Sequence, residues 1–112
     1  MKLSNKLIDK IENAGFFVSH EEGNDYYFGK YSPAGQDFGF SIDTGEDIAE
    51  FAKNVLRYYE DFDVSYEAYL WLDENGHGTN GAPYDMRDLY NDMKECEGFI
   101  SELYDLLMEE ND

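Results

Sequence analysis

The stretch DFGFSIDTGEDIAEFAKNVLRYY, residues 37–59, decides the fold because its hydrophobic period changes from two to about 3.6 within a few residues. Phe38, Phe40 and Ile42 occupy alternate positions, which predicts a strand with one buried face. Thr44, followed three residues later by Asp47, resembles a capping box and predicts that helix 2 begins there. Apolar side chains then recur at spacings of three and four, as on one face of a helix. They are Ile48, Phe51, Ala52, Val55, Leu56 and Tyr59.

Upstream of this stretch, the sequence predicts one short helix and two further strands. Ser4 is suited to cap a helix over about residues 5–14, and Gly15 is suited to end it. The predicted strands cover residues 16–20, 26–31 and 38–42. The segments between them are rich in turn residues and short enough for hairpins.

Downstream, two more helices are predicted. Helix 3 is expected to start at Asp63 or Ser65 and to run to Asn75, where Gly76 ends it. After a glycine-rich loop, Pro83 suits the first position of helix 4, which has a length of about 25 residues. Its apolar stripe consists of Met86, Leu89, Met93, Cys96, Ile100, Leu103 and Leu107. A glycine inside this helix, Gly98, predicts a kink or close packing.

The element order is therefore α-β-β-β-α-α-α. It predicts the α+β class, with an N-terminal helix, a three-stranded antiparallel sheet and three C-terminal helices packed on one face of the sheet. The 112 residues suit a single domain, and 42% hydrophobic content with 10 Tyr, 8 Phe and 1 Trp can fill a core. We expect one acidic α+β domain over residues 1–112.

The charge of the chain is large and uneven. In total, 26 acidic and 8 basic residues give a net charge of −18. Residues 1–36 hold 5 acids and 4 bases, whereas residues 37–112 hold 21 acids and 4 bases. Self-repulsion of this size destabilises a compact state, and a basic partner would explain why it is retained. The same field disfavours nucleic acid and anionic membranes as direct ligands.

The sequence also predicts a cytoplasmic location. No apolar run approaches the length of about 20 residues that spans a bilayer, and the N-terminus lacks the apolar stretch of a signal peptide. The only cysteine, Cys96, cannot form an internal disulfide, which fits a reducing compartment.

Helix 4 carries a row of acids at spacings of three, four and seven. The row consists of Asp85, Asp88, Asp92, Glu95, Glu102, Asp105 and Glu109. Side chains three or four residues apart on a helix lie about 5–6 Å from each other, so the row predicts a line of negative charge. Two interpretations stay open: a solvated helix face, or a surface that docks on cations of another macromolecule. An ordinary solvated face mixes both signs of charge, which this row does not.

Three further patterns in the sequence bear on metal binding and catalysis. Asp73, Asn75 and His77 match the first half of a calcium loop, but Tyr84 stands where a bidentate glutamate is required, so a turn is predicted instead. No HExxH or CxxC pattern is present, and zinc is not expected. Cys96 falls on the apolar stripe, which favours a buried inert thiol over a nucleophile paired with His77. The sequence predicts no cofactor, no metal and no enzymatic activity.

Several aromatic residues fall off the apolar stripes. They are Tyr58, Tyr66, Trp71, Tyr84 and Phe99. Partly exposed aromatics are enriched at interfaces, and they also cover the edges of cores with their polar tips in water. Because Tyr84 and Phe99 are close in sequence to the acidic row, we expect them to contact the same partner.

The segments YSPAGQDF, residues 31–38, and GHGTNGAP, residues 76–83, resemble small acidic proteins of bacterial mobile elements and phages. The likeness covers most of the chain, but those proteins share no agreed activity. In charge and size the chain is also similar to DNA-mimic inhibitors such as antirestriction and anti-CRISPR proteins. That similarity implies an acidic surface that occupies a nucleic-acid channel.

The predicted function is thus an acidic protein-binding inhibitor that mimics nucleic acid in the basic groove of a nucleic-acid-handling defence enzyme. The expected partner-binding residues are Asp85, Asp88, Asp92, Glu95, Glu102 and Asp105, with Phe99 and Tyr84 as anchors. The alternative is a non-enzymatic accessory protein of a mobile element, self-associating as a homodimer or not, whose acidity serves solubility only. A salt-sensitive partner contact would favour the first interpretation.

Overall fold

The structure is a computed structural model, and it describes residues 1–111. The order of elements is the predicted one, α-β-β-β-α-α-α, and the α+β class is confirmed. The elements are α1 (Asn5–Asn13), β1 (Phe17–His20), β2 (Asp25–Tyr31), β3 (Asp37–Asp43), α2 (Ile48–Asp61), α3 (Val64–Tyr69) and α4 (Met86–Asn111).

The three strands form an antiparallel sheet in the order β1-β2-β3. Its register pairs Phe28 with Val18 on one side and with Phe40 on the other, so alternate residues of all three strands share a face. The inner face is apolar, and its buried side chains are Tyr26, Phe28, Phe40 and Ile42. Both hairpins use the short turns predicted from the sequence.

The main core lies between the inner face of the sheet and the helices α1, α2 and α4. Phe51 of α2 stacks on Phe28 with 5.7 Å between ring centroids, and Ile100 and Leu103 of α4 are fully buried in the same cluster. A second, smaller core joins α3 to the first half of α4. It contains Val64, Ala68, Leu89, Met93 and Cys96. One apolar stripe on α4 therefore closes both cores.

The helix starts differ in part from the prediction. Ser4 caps α1 as expected, with its hydroxyl accepting from the Leu7 N–H at 3.2 Å. The cap of α2 is Asp47, whose carboxylate accepts from the Glu50 N–H. Thr44 does not cap it, because its buried hydroxyl donates to the carbonyl of Met1.

The bounds of α3 and α4 correct the sequence prediction. α3 ends at Tyr69 instead of Asn75, because the chain turns there and Leu72 pairs with Gly78 in an isolated β-bridge. α4 starts at Met86 and not at Pro83. Asp85 precedes it, and the Asp85 carboxylate accepts from the Arg87 N–H at 2.8 Å, as a capping residue does.

Of the two alternatives predicted for Gly98, a kink or close packing, close packing is wrong. α4 continues through Gly98, and a Cβ added there would have no side chain or other element within 4 Å. Gly78 is the opposite case, since a Cβ at that position would lie 1.9 Å from the carbonyl oxygen of Pro83. A backbone atom cannot rotate away as a side chain can, so Gly78 is required for the loop to close.

We expect Gly98→Ala to raise the free energy of unfolding by about 0.5–1 kcal/mol, because alanine reduces the conformational entropy of the unfolded chain and fits the helix. Gly78→Ala should lower it by about 1–3 kcal/mol through the collision with Pro83. Urea unfolding followed by circular dichroism measures both. A Gly98→Ala protein less stable than the natural chain would contradict an open helix surface at this position.

Candidate protein-interaction surface

The predicted acidic row lies along α4, but the structure gives its two halves different surroundings. In the C-terminal half, Glu102 forms a salt bridge of 3.2 Å with Lys30, and Glu109 forms one of 3.0 Å with Lys10. Asp105 is exposed. The lysines of the N-terminal third of the chain thus partly neutralise this half of the row.

Phe99 does not stand free as a partner anchor. It is partly buried against Phe38, with 6.3 Å between ring centroids, and belongs to the rim of both cores. The Lys30 ammonium lies 4.9 Å from its ring centroid, a cation–π distance. Phe99 therefore contributes to packing within the chain.

Asp92 is the largest departure from the predicted row. Its side chain is buried, with the residue 5% exposed. One carboxylate oxygen accepts from the Ser32 hydroxyl at 2.5 Å and from the Gln36 side-chain amide at 2.7 Å, and the other accepts from the Ala34 N–H at 3.0 Å. Asp92 consequently fastens the β2–β3 turn to α4 and is not part of an exposed charged face.

The reason lies in its position on the helix. Asp92 stands three residues after Leu89 and four before Cys96, which are both fully buried, so it occupies a core-facing position of the apolar stripe. The turn brings polar donors to that position, and a buried carboxylate is stable only when it is hydrogen-bonded. The polar turn residues Ser32 and Gln36 were the sequence signal that could have revealed this.

The N-terminal half of the row keeps its exposed acids. Asp88 and Glu95 are exposed and line a shallow hollow of about 460 Å³ beside the β2–β3 turn, together with Pro33 and Pro83. Asp85 is paired with Arg87 at 3.2 Å, and this hydrogen-bonded pair holds the pKa of the Asp85 carboxyl below its usual range. Within residues 1–111, neither Asp88 nor Glu95 has a salt-bridge partner.

Tyr84 follows Pro83, which lines this hollow, and is 68% exposed. Its ring stacks on His77, with centroids 4.1 Å apart and an interplanar angle of 16°. The backbone supports this placement, because the Gly78 N–H donates to the Tyr84 carbonyl at 3.0 Å. Of the two predicted anchors, Tyr84 is thus the one that presents its ring to solvent.

Exposed aromatic and apolar side chains are concentrated in the segment of the chain that contains Tyr84. Residues 66–90 contain seven of the ten large hydrophobic residues that are exposed. They are Tyr66, Tyr69, Leu70, Trp71, Tyr84, Met86 and Tyr90. These side chains belong to α3, the loop after it and the first turns of α4. Tyrosine and tryptophan in such a setting are typical of protein-binding surfaces.

The loop between α3 and α4 is organised by Asp73. One oxygen of its carboxylate accepts from the N–H groups of Asn75 at 2.8 Å and His77 at 3.0 Å. These backbone hydrogen bonds, that from His77 first, hold the pKa of the Asp73 carboxyl below its ordinary value. One oxygen of the Asp73 carboxylate thus closes the turn that the sequence predicts here.

Cys96 has the surroundings of a structural thiol. It is fully buried, and this burial, with smaller contributions from the charges of Asp92 and Glu95, raises its thiol pKa to about 12. A nucleophilic cysteine needs a lowered pKa, so the environment is the reverse of an activating one. In residues 1–111, no group of three or more His, Cys, Asp or Glu side chains could hold a metal ion.

We expect Asp92→Ala to lower the free energy of unfolding by about 2–4 kcal/mol, because it leaves three donors of the β2–β3 turn without their acceptor. Asp88→Ala, on the exposed part of the same helix, is the matched control and should change it by less than about 0.5 kcal/mol. Urea unfolding of both variants gives the comparison. Equal stability of the two would contradict the tethering role of Asp92.

A second expectation concerns pH. Because the folded-state pKa of Asp73 is below the ordinary 3.8, the carboxylate's stabilisation of the loop is present above that value and is lost as pH falls through the lowered pKa. The amide resonances of Asn75 and His77 should therefore shift together with a midpoint below 3.8 in an NMR titration. The transition should vanish in Asp73→Asn. A midpoint at or above 3.8 would contradict the capping hydrogen bonds.

None of the helices within residues 1–111 is both long and apolar enough to cross a bilayer. A scan against protein-family models and searches of curated proteins and of solved structures found no match to this chain. Its function therefore has to be inferred from its own residues and their geometry.

Proposed function

We propose that this protein is a non-enzymatic binding protein whose acidic surface docks on a basic groove of a nucleic-acid-handling protein and blocks it. The surface that we assign to this role is the N-terminal half of the α4 row, namely Asp85, Asp88 and Glu95 with Tyr84. We call it the α4 surface. It is a smaller site than the sequence predicted, because Asp92, Glu102 and Phe99 are engaged within the chain. The exposed Asp105 lies apart from the hollow, between the salt-bridged Glu102 and Glu109.

The observation that carries the proposal is the contrast between the acids of the row that the fold engages and those that it leaves exposed. Where acids serve the fold, the chain supplies cations or donors: Lys30 for Glu102, and the β2–β3 turn for Asp92. Asp88 and Glu95 have no salt-bridge partner in the described part of the chain, and they flank a hollow that is open to solvent. Arginine or lysine side chains of a partner would fit between them.

The binding mode that follows is competitive occupation. Charges at the rim of an interface mainly speed association and make affinity fall with salt, whereas desolvated aromatics hold the complex. The exposed Tyr84 ring, already stacked on His77, is positioned to supply such a contact. The similarity to DNA-mimic inhibitors in charge and size agrees with this binding mode.

To test this, the natural chain and two charge-reversed variants are immobilised and exposed to bacterial lysate at about 0.05 M and about 0.5 M salt. Asp88→Lys/Glu95→Lys alters the α4 surface, and Asp9→Lys/Glu12→Lys makes the same charge change at exposed positions of α1. We expect a nucleic-acid-binding protein to be retained at low salt by the natural chain and by the α1 variant. Its affinity for the α4 variant should be at least about tenfold weaker.

A second measurement is needed for the inhibitory step. The captured protein is assayed for nucleic-acid binding with and without the natural chain, and competition should be lost with Asp88→Lys/Glu95→Lys. Equal retention by both variants would reject the α4 surface as the site. Retention that does not depend on salt, or self-association of the chain as the only contact, would favour the accessory role in which acidity serves solubility.

A further inference from the structure

Strand β3 forms one edge of the sheet, and the direction of its backbone groups can be worked out from its ends. The Ser32 N–H donates to the Gln36 carbonyl at 2.8 Å, and the Thr44 N–H donates to the Asn24 carbonyl at 2.9 Å. Both pairs continue the β2–β3 register. Hydrogen-bonded and non-hydrogen-bonded pairs alternate in an antiparallel ladder, so the even-numbered residues 36–44 bond to β2.

The odd-numbered residues of β3 consequently direct their N–H and C=O groups away from the sheet. They are Asp37, Gly39, Ser41 and Asp43. A contact at one end supports this direction, because the Asn54 side-chain amide of α2 donates to the Asp43 carbonyl at 2.7 Å. Within residues 1–111, no further strand, helix or loop pairs with the edge groups of Gly39 and Ser41. An edge of this kind is a template for one more strand.

Solvent-accessible space lies beside this edge, except where Asn54 contacts Asp43. Two adjoining hollows, of about 450 and 550 Å³, share Tyr58, Phe62 and Glu67 and together follow β3 from Gly35 to Asp43. Opposite β3, the larger hollow is lined mainly by α2, and the smaller one is lined by Glu67 of α3 and by Trp71 and Asn80 of the loop that follows it. We call this space the β3 groove. A strand edge facing a helix across a groove is the arrangement in which extended peptides bind by strand addition.

The charge of the β3 groove defines the occupant. Its lining includes the acids Asp37, Asp43, Glu50, Asp61 and Glu67 and a single base, Arg57. Apolar and aromatic surface lies between them, from Phe38, Phe62 and Tyr58. Burial, and secondly the charge of Glu67, raises the pKa of the Tyr58 phenol, which therefore remains a neutral hydrogen-bond donor at physiological pH. A second copy of this chain would bring the same acids face to face, which disfavours it.

The geometry points to the β3 groove as a docking site for an extended, basic polypeptide segment that adds to the sheet as a fourth strand beside β3. Its main chain pairs with the edge groups of Gly39 and Ser41. Alternate side chains point to opposite faces. One set is apolar and enters the groove toward Tyr58 and Phe62, and the other is basic and lies beside Asp37 and Asp43 on the outer face.

The probe is a blocked synthetic peptide of alternating lysine and valine, with the seven-residue length of β3. Two N-methylated versions place methyl groups on one or the other set of alternate residues, which removes donors from one edge of the peptide while its charge is kept. We expect the parent peptide to bind and to slow hydrogen exchange at the Gly39 and Ser41 amides. One methylated version should bind at least about tenfold more weakly and the other nearly as well.

On the protein side, Ser41→Pro removes an edge donor without touching the β2 ladder, and Ser41→Ala is its matched control. The control also accounts for the hydrogen bond from the Ser41 hydroxyl to Glu21. We expect about tenfold weaker peptide binding for the proline variant and unchanged binding for the alanine variant. If Ser41→Pro does not fold, Asp37→Asn/Asp43→Asn replaces it and should weaken binding and reduce its salt dependence.

Several results would overturn the proposal. They are absence of binding by the lysine–valine peptide, equal binding of both methylated versions, or unchanged exchange at Gly39 and Ser41. Protection of these amides by raising the protein concentration alone would make a second copy the occupant, which also overturns it. Asp88→Lys/Glu95→Lys should leave peptide binding unchanged, so failure at the β3 groove and failure of the α4 surface are separate results.

Discussion

The rest of the structure depends on α4, because one continuous apolar stripe on this helix contributes to both hydrophobic cores. Its second half, with Ile100, Leu103 and Leu107, fills the space under the sheet and α2, and its first half, with Leu89 and Met93, covers α3. A six-residue helix such as α3 is far too short to be stable alone. Its position, and that of the loop behind it, is therefore set by the helix against which it packs.

This dependence also determines where charge can be placed. The buried carboxylate of Asp92 joins the β2–β3 turn to α4, and Lys30 reaches from β2 to Glu102 further along the helix. Both contacts connect the sheet to the polar margin of the same stripe. The acids that remain on the surface of α4 are those whose positions face neither the sheet nor α3. Acids that serve folding and acids that face solvent thus alternate along one helix.

Much of the fold could be predicted from periodicity. The change from alternation in Phe38, Phe40 and Ile42 to the three-and-four spacing after Ile48 placed β3 within one residue of its observed bounds and predicted α2, although the cap of α2 is Asp47 and not Thr44. The end of α3 could not be predicted in this way. The residues after Tyr69 keep a helical pattern, but the Asp73 side chain and the Leu72–Gly78 bridge offer the backbone alternative hydrogen bonds. These contacts form only when residues 77 and 78 fold back onto residues 72 and 73, and the helical pattern of the sequence does not show this.

The candidate site was predicted less completely, for a related reason. Spacing shows which residues share a helix face, but not which other element covers that face. The position of Asp92 fits the spacing of both the acidic row and the apolar stripe. Its side chain is buried because Ser32 and Gln36 of the β2–β3 turn donate hydrogen bonds to it. The β3 groove was not predicted at all, because the direction of backbone groups at a sheet edge depends on strand order and register.

The free edge of β3 has a further consequence for the behaviour of the protein in solution. An unprotected sheet edge invites pairing between molecules, and many proteins block it with lysines, proline or a bulge. In this protein, electrostatic repulsion between negatively charged molecules opposes such pairing. The repulsion weakens as the pH of the solution approaches the isoelectric point near 4.1. The carboxylates that we propose attract a basic peptide to the β3 groove thus also oppose fibrous self-assembly. Protonation of these groups at low pH weakens both the attraction and the repulsion.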